Sequence, residues 1–143
     1  LDLGGRPLEL TAHAVAHTSQ DLTVLDVASG TLFLGDLVFV ERMPALDGSV
    51  RGWIERLDAL AAVPAQPAVP GHGPASVPWP AGADDVRRYL ATLLAQTRAA
   101  IADGRALEEA VAQVARGERE RWIFFDEVNG RNVTRAYKEL EWE

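Results

Sequence analysis

Two histidines and an aspartate stand where apolar runs give way to small residues and turn formers. They are His17 in Ala16-His17-Thr18, Asp36 in Gly35-Asp36-Leu37 and His72 in Pro70-Gly71-His72-Gly73. Imidazole nitrogen and carboxylate oxygen are donor types that suit zinc, and a zinc ion brings bound water close to deprotonation and polarises a carbonyl or phosphoryl oxygen. A usual zinc enzyme needs more donors than these three. Each position also has a plainer reading: a core-edge histidine for His17, a loop-capping carboxylate for Asp36, a tight turn with an incidental imidazole for His72. Glycine beside Asp36 and on both sides of His72 permits close backbone approach, which suits donors projecting into a crowded cleft. His13 reads as a hydrogen-bonded or exposed histidine. The three donors together weigh more than each alone, because strand ends on one rim of a sheet converge and gather groups from distant positions.

The elements that must position them follow from periodicity. Pro7 to Val15 alternates imperfectly and places 13, 15 and 17 on one face. Leu22 to Val27 and Thr31 to Leu34 flank Ala28-Ser29-Gly30, a hairpin signal, and Val38 to Val40 extends the same region. Ser49 is a candidate N-cap for a helix carrying Val50, Trp53, Ile54, Leu57 and Leu60 on one face, ended by Pro64. A strand-like piece from Pro67 to Pro70 runs into His72, and a proline-containing loop from Pro74 to Pro80 follows. From Asp84 the spacing is helical: a long stripe from Val86 to Ile101 stopped by Gly104, a short helix from Leu107 closed by Gly117, a turn with Trp122, Phe124 and Phe125, and a last helix capped by Asn132. The reading is one mixed α/β domain over 1–143, with strands, a helix and ligand loops in 1–80 and a helical tail in 81–143.

Composition narrows the function classes. The chain has 143 residues and a formal charge of −7, which argues against nucleic-acid or anionic-membrane partners, since both need a basic face. It has no cysteine, so disulfides, thiolate nucleophiles and cysteine zinc sites are excluded. No apolar run approaches the roughly 18 residues that span a bilayer. The start, Leu1-Asp2-Leu3-Gly4-Gly5, carries neither an initiator methionine nor a signal pattern and reads as a processed or cut-down product. No Ser-His-Asp string or phosphate-cradling glycine loop offers an alternative set of catalytic groups.

Ala16-His17-Thr18, Phe33-Leu34-Gly35-Asp36-Leu37-Val38-Phe39 and Val69-Pro70-Gly71-His72-Gly73 resemble the second half of the metallo-β-lactamase superfamily, over roughly residues 8 to 75. The resemblance implies the second half of an αββα sandwich, a sheet with flanking helices plus the helical tail. It implies zinc, one or two ions in a complete site, with His17, Asp36 and His72 as ligands and Asp36 able to bridge. Iron in a di-iron redox relative is the alternative metal. The stretch from Trp122 to Glu143 resembles the tail of zinc metallohydrolases of bacterial quinoprotein relay systems, which implies an exported, periplasmic protein.

The departure from the family is equally plain. Its first half carries a His-x-His-x-Asp-His motif, and a chain with 3 histidines has no such string. The resemblance therefore implies a parent enzyme that hydrolyses an ester, thioester, lactone or amide of a small molecule, and a fragment inactive alone. A lone half would expose the apolar face of its sheet, so the expected partner is a second copy in a homodimer or the missing N-terminal half. The competing class is a non-catalytic α/β interaction or scaffold domain with a relic metal site.

Overall fold

The computed structural model describes residues 1–143. Four strands form one sheet in the order β1-β2-β3-β4: β1 (Leu8–His13), β2 (Asp21–Asp26), β3 (Thr31–Phe39) and β4 (Ala68–His72). The first two pairings are antiparallel, as short connections allow. β4 returns parallel to β3 after a crossover through helix α1 (Val50–Leu60), the connection that parallel pairing requires. At the β2–β3 turn, Asp26 accepts from Arg6, Ser29 and the Ala28 N–H. The Arg6 hydrogen bond holds the Asp26 carboxyl well below the usual carboxylate range.

Helices cover one face only. Leu32 and Leu34 of β3 point into a core with Val50, Trp53 and Leu57 of α1 and Val86, Tyr89 and Leu90 of α2 (Asp84–Ala102). Ser49 caps α1 by accepting from Gly52 N–H at 3.0 Å, as its side chain suits. The chain leaves α2 at Gly104, whose φ of +70° is the left-handed conformation that favours glycine. Beyond lie α3 (Leu107–Gln113), a 3-10 turn at Arg116–Arg121, and α4 (Phe125–Leu140), which packs on α2 and α3. No helix is long and apolar enough to cross a membrane.

The opposite face of the sheet is uncovered. The register sets Leu10 opposite Val24, Ala12 opposite Leu22, Val24 opposite Phe33 and Phe33 opposite Val69, so these side chains share a face. Leu10, Leu22 and Phe33 are 50%, 50% and 43% exposed. The mixed α/β architecture expected from periodicity is the one observed, a four-stranded sheet with helices on one side.

Four local expectations differ. β1 stops at His13, so 13, 15 and 17 do not share a strand face; residues 14–20 bend instead. β3 is one nine-residue strand rather than two pieces, carried past Gly35 by its φ of +53°. The short helix ends at Gln113 rather than at Gly117, which lies in the 3-10 turn. Asn132 does not cap α4 but sits fully buried in its middle. There its amide accepts from Leu46 N–H at 2.9 Å and donates to Pro44 O at 2.7 Å and to the Tyr89 hydroxyl at 3.0 Å. The preference of asparagine for caps is overridden by tertiary partners. Met43, Pro44 and Trp79 are buried in loop packing.

That latch gives a first prediction. Asn132→Leu leaves the Leu46 N–H and the Pro44 carbonyl buried without partners, and each such group costs about 1–3 kcal/mol. A total loss of about 3 kcal/mol is expected in urea unfolding. A loss below about 0.5 kcal/mol, ordinary for a surface substitution, would show that the latch is dispensable.

Candidate metal centre

His17 owes its place to segments remote in sequence. Ser49 N–H donates to Ala16 O and Asp47 N–H to His17 O, each at 2.9 Å. A Cβ at position 48 would collide with the Ala16 carbonyl, so glycine is what lets the two segments approach. On the other side, the Thr18 N–H and hydroxyl both donate to Asp21 at 3.0 Å. Helix α4 holds the 47–50 segment from behind. Arg135 Nε donates to Gly48 O at 2.8 Å, while Glu139 accepts from Ser49 Oγ at 2.7 Å and Val50 N–H at 2.8 Å.

Asp36 lies within β3 just after the Gly35 kink, where the pairing with β4 shifts register. It is not a buried strand-end residue; its side chain is 47% exposed. His72 is the last residue of β4. A Cβ on Gly71 would collide with Asp36 Oδ1 and the Gly35 backbone, so the close approach of the two donor strands requires glycine there.

Asp36 stands between the two histidines. His17 Nε2 lies 3.7 Å from Asp36 Oδ2, and His72 Nε2 lies 3.4 Å from Asp36 Oδ1. Two donors bound tetrahedrally at zinc distances stand roughly 3.3 Å apart, so each imidazole faces its own carboxylate oxygen at close to the separation a shared ion imposes. His17 is 6% exposed and neither of its ring nitrogens has a hydrogen-bond partner, a costly state for a buried polar ring unless something else engages it. Burial pushes its pKa below the ordinary histidine value, against the pull of Asp21, Asp36 and Asp47, which favours the neutral form that ligates metals. No three His, Asp or Glu side chains gather about a single point. The arrangement is two donor pairs sharing Asp36, and each pair falls short of the three or four protein ligands of a usual zinc site. His17, Asp36 and His72 are donor types that fit a metal, and by themselves they do not complete a site.

His13 is where its plainer reading puts it, with Nε2 2.8 Å from Thr23 Oγ1, remote from the donors in bonding. Sequence reasoning misses two groups beside the donors. Phe39 and Trp53 flank the imidazoles, and periodicity marks both only as apolar.

The sheet carries its helices on one side, and Asp36 of β3 stands between His17 and His72. The family model of the metallo-beta-lactamase superfamily matches residues 1–72, just over half of the 143 residues; the chain belongs to that superfamily, a hydrolase fold family that generally binds zinc. A metallo-beta-lactamase family protein from Thermus thermophilus is 18% identical over 99% of this chain and 45% of its own, with a TM-score of 0.69. A beta-lactamase domain protein from Burkholderia ambifaria is 16% identical over 99% of this chain and 43% of its own, with a TM-score of 0.68. The stereoselective inverting sec-alkylsulfatase Pisa1 from Pseudomonas sp. is 20% identical over 98% of this chain and 25% of its own, with a TM-score of 0.69. At these identities the likeness is one of fold. The chain spans a quarter to less than half the length of these structures. Among curated proteins, none matches the sequence.

Proposed function

We propose that this chain is the C-terminal portion of a zinc-dependent hydrolase that cleaves an ester, thioester, lactone or amide of a small molecule. His17, Asp36 and His72 are its share of the ligands. The observation that carries the reading is that both imidazole Nε2 atoms face opposite oxygens of one carboxylate. Zinc bound there supplies an activated water and a Lewis acid for the substrate oxygen. The chain's own part is to hold His17 neutral and dry, to offer Asp36 from a kinked strand, and to bring His72 alongside through Gly71. With two donors per position the chain alone is inactive. The missing ligands come from a complementary half packed on the uncovered face of the sheet, and in its absence that face drives self-association. The stretch from Trp122 to Glu143 supports the finer proposal of a periplasmic quinoprotein relay hydrolase, which cell fractionation of the parent protein tests.

The test of the metal reading is zinc titration of the isolated chain against a chromophoric chelator. Reversible binding is expected, weaker than about micromolar and far from the affinity of a complete structural site. His72→Ala is expected to lose the position it serves and leave the fold intact. No zinc uptake at millimolar concentration would overturn the proposal and favour a scaffold domain with a relic site.

A further inference from the structure

The two imidazoles are not held by hydrogen bonds. His17 has no partner on either nitrogen. The His72 side chain is 44% exposed, and its close polar neighbour is Asp36, at 3.4 Å. A half-exposed imidazole with no hydrogen bond to fix it would rotate freely if nothing else held it, and freezing it at the moment a ligand arrives would cost affinity. Metal-binding histidines ordinarily avoid that cost by donating their second N–H to a carbonyl or carboxylate, and such partners are worth 10–100-fold in metal affinity. Neither ring has one here, so something else must orient them.

What touches both rings is aromatic. The Phe39 ring stacks on His72 with centroids 4.6 Å apart and planes at 20°, and lies 5.6 Å from His17 at 44°. Trp53 stacks on His17 at 5.1 Å and 23° and meets Phe39 edge-on at 6.2 Å and 62°. The four rings form one continuous array, His72–Phe39–His17–Trp53. Its far end is fixed, because the Trp53 indole N–H donates to Leu37 O at 2.9 Å. Leu37 and Phe39 belong to β3, the strand that carries Asp36. Phe39 is also paired with His72 across the β3–β4 ladder, and Val40 N–H donates to His72 O at 2.9 Å. The scaffold that orients the imidazoles is therefore tied to the backbone that presents the carboxylate.

We infer that Phe39 and Trp53 are positioning residues: their stacked rings set the His17 and His72 imidazole planes so that both Nε2 atoms face Asp36, in place of hydrogen bonds to the second ring nitrogens. The inference rests on the proposed metal reading, and its test separates the two. Phe39→Leu keeps an apolar group of similar bulk and removes the ring; Phe39→Met does the same if the leucine variant fails to fold. Phe39→Tyr keeps the ring.

Zinc affinity is expected to fall about 10-fold in Phe39→Leu, as for loss of a hydrogen-bonding partner behind a ligating histidine, with rescue in Phe39→Tyr and a thermal midpoint that does not track the affinity. In the metal-free chain, NMR is expected to show His72 ring protons shifted upfield by Phe39 in the parent and in Phe39→Tyr, and relaxed to exposed-histidine positions in Phe39→Leu. Equal zinc affinity in the parent and Phe39→Leu would overturn the inference while leaving the metal reading standing. Absence of zinc binding by the parent would overturn the metal reading, and the ring-proton shifts would still decide whether Phe39 orients His72; unchanged shifts in Phe39→Leu overturn that as well.

Discussion

Asp36→Asn is expected to abolish zinc uptake by this chain, with affinity lowered at least about 100-fold and the fold unchanged. Asp36 is the one group common to both donor pairs, facing His17 through Oδ2 and His72 through Oδ1. The amide keeps the shape but loses the charge, and it turns one of the two oxygens into an N–H donor that cannot ligate. Each position then keeps one good donor, too few for a zinc site. Stability is expected to stay within about 0.5 kcal/mol, because the Asp36 side chain is 47% exposed and substitutions at such places are close to neutral. His17→Ala and His72→Ala each leave one pair complete, so either is expected to bind better than Asp36→Asn. Chelator competition ranks the three variants, and thermal unfolding checks the fold. A variant Asp36→Asn that binds zinc as the parent does would mean that the histidines act without the carboxylate.

The proximity of the three candidate donors is legible because residue type marks them and glycine lets their strands approach. His17, Asp36 and His72 are the groups that the structure brings together, and Gly71 explains why the flanking glycines matter. The exact placement of two donors is not legible. The pattern puts Asp36 at the end of a strand because the apolar run stops at Gly35; the kink at Gly35 instead lets β3 continue, paired with β4. The pattern also puts His17 on a strand face because alternation continues to residue 17. The hydrogen bonds from Asp47 and Ser49 bend that segment away, and they depend on a segment about thirty residues downstream.

Asn132 shows the same limit in the tail. An asparagine ahead of an apolar helical run is a reasonable cap, and local sequence holds nothing against it. Only the approach of Pro44 and Leu46 supplies a buried asparagine with the partners it needs. Counting Asn129 and Asn132 as members of the apolar stripe would extend the helix back to Phe125. Both are in fact buried beside Val133 and Ala136. The helical tail also has a purpose hidden from periodicity: Arg135 and Glu139 on α4 brace the 48–50 segment that in turn fixes His17. Residues that act through two intervening backbone segments leave no local pattern.

Replacing Leu10, Leu22 and Phe33 together by threonine is expected to convert a self-associating chain into a monomer. The three side chains share the uncovered face of the sheet and are each about half exposed. Full burial of such a side chain contributes about 1.5–3 kcal/mol, so covering the exposed half yields roughly 1 kcal/mol apiece. Three losses per chain are six in a symmetric dimer, about 6 kcal/mol, or roughly 10,000-fold in the dissociation constant. Threonine keeps the strand propensity, and since these residues lie outside the buried core the monomer is expected to remain folded. Sedimentation velocity at tens of micromolar tests both halves of the expectation: the parent runs as dimer or larger, the triple variant as monomer. A parent chain that sediments as a clean monomer would remove the argument that this face awaits a partner. If the parent associates and the variant does too, the contact lies elsewhere, with Ile123, Phe124 and Trp142, at 52%, 49% and 87% exposure, as the next apolar group to substitute. The expected result leaves one consequence for the site. On the proposed reading, the face that would recruit a complementary half belongs to the sheet that carries Asp36 and His72, so burying it and completing the ligand set would be the same event.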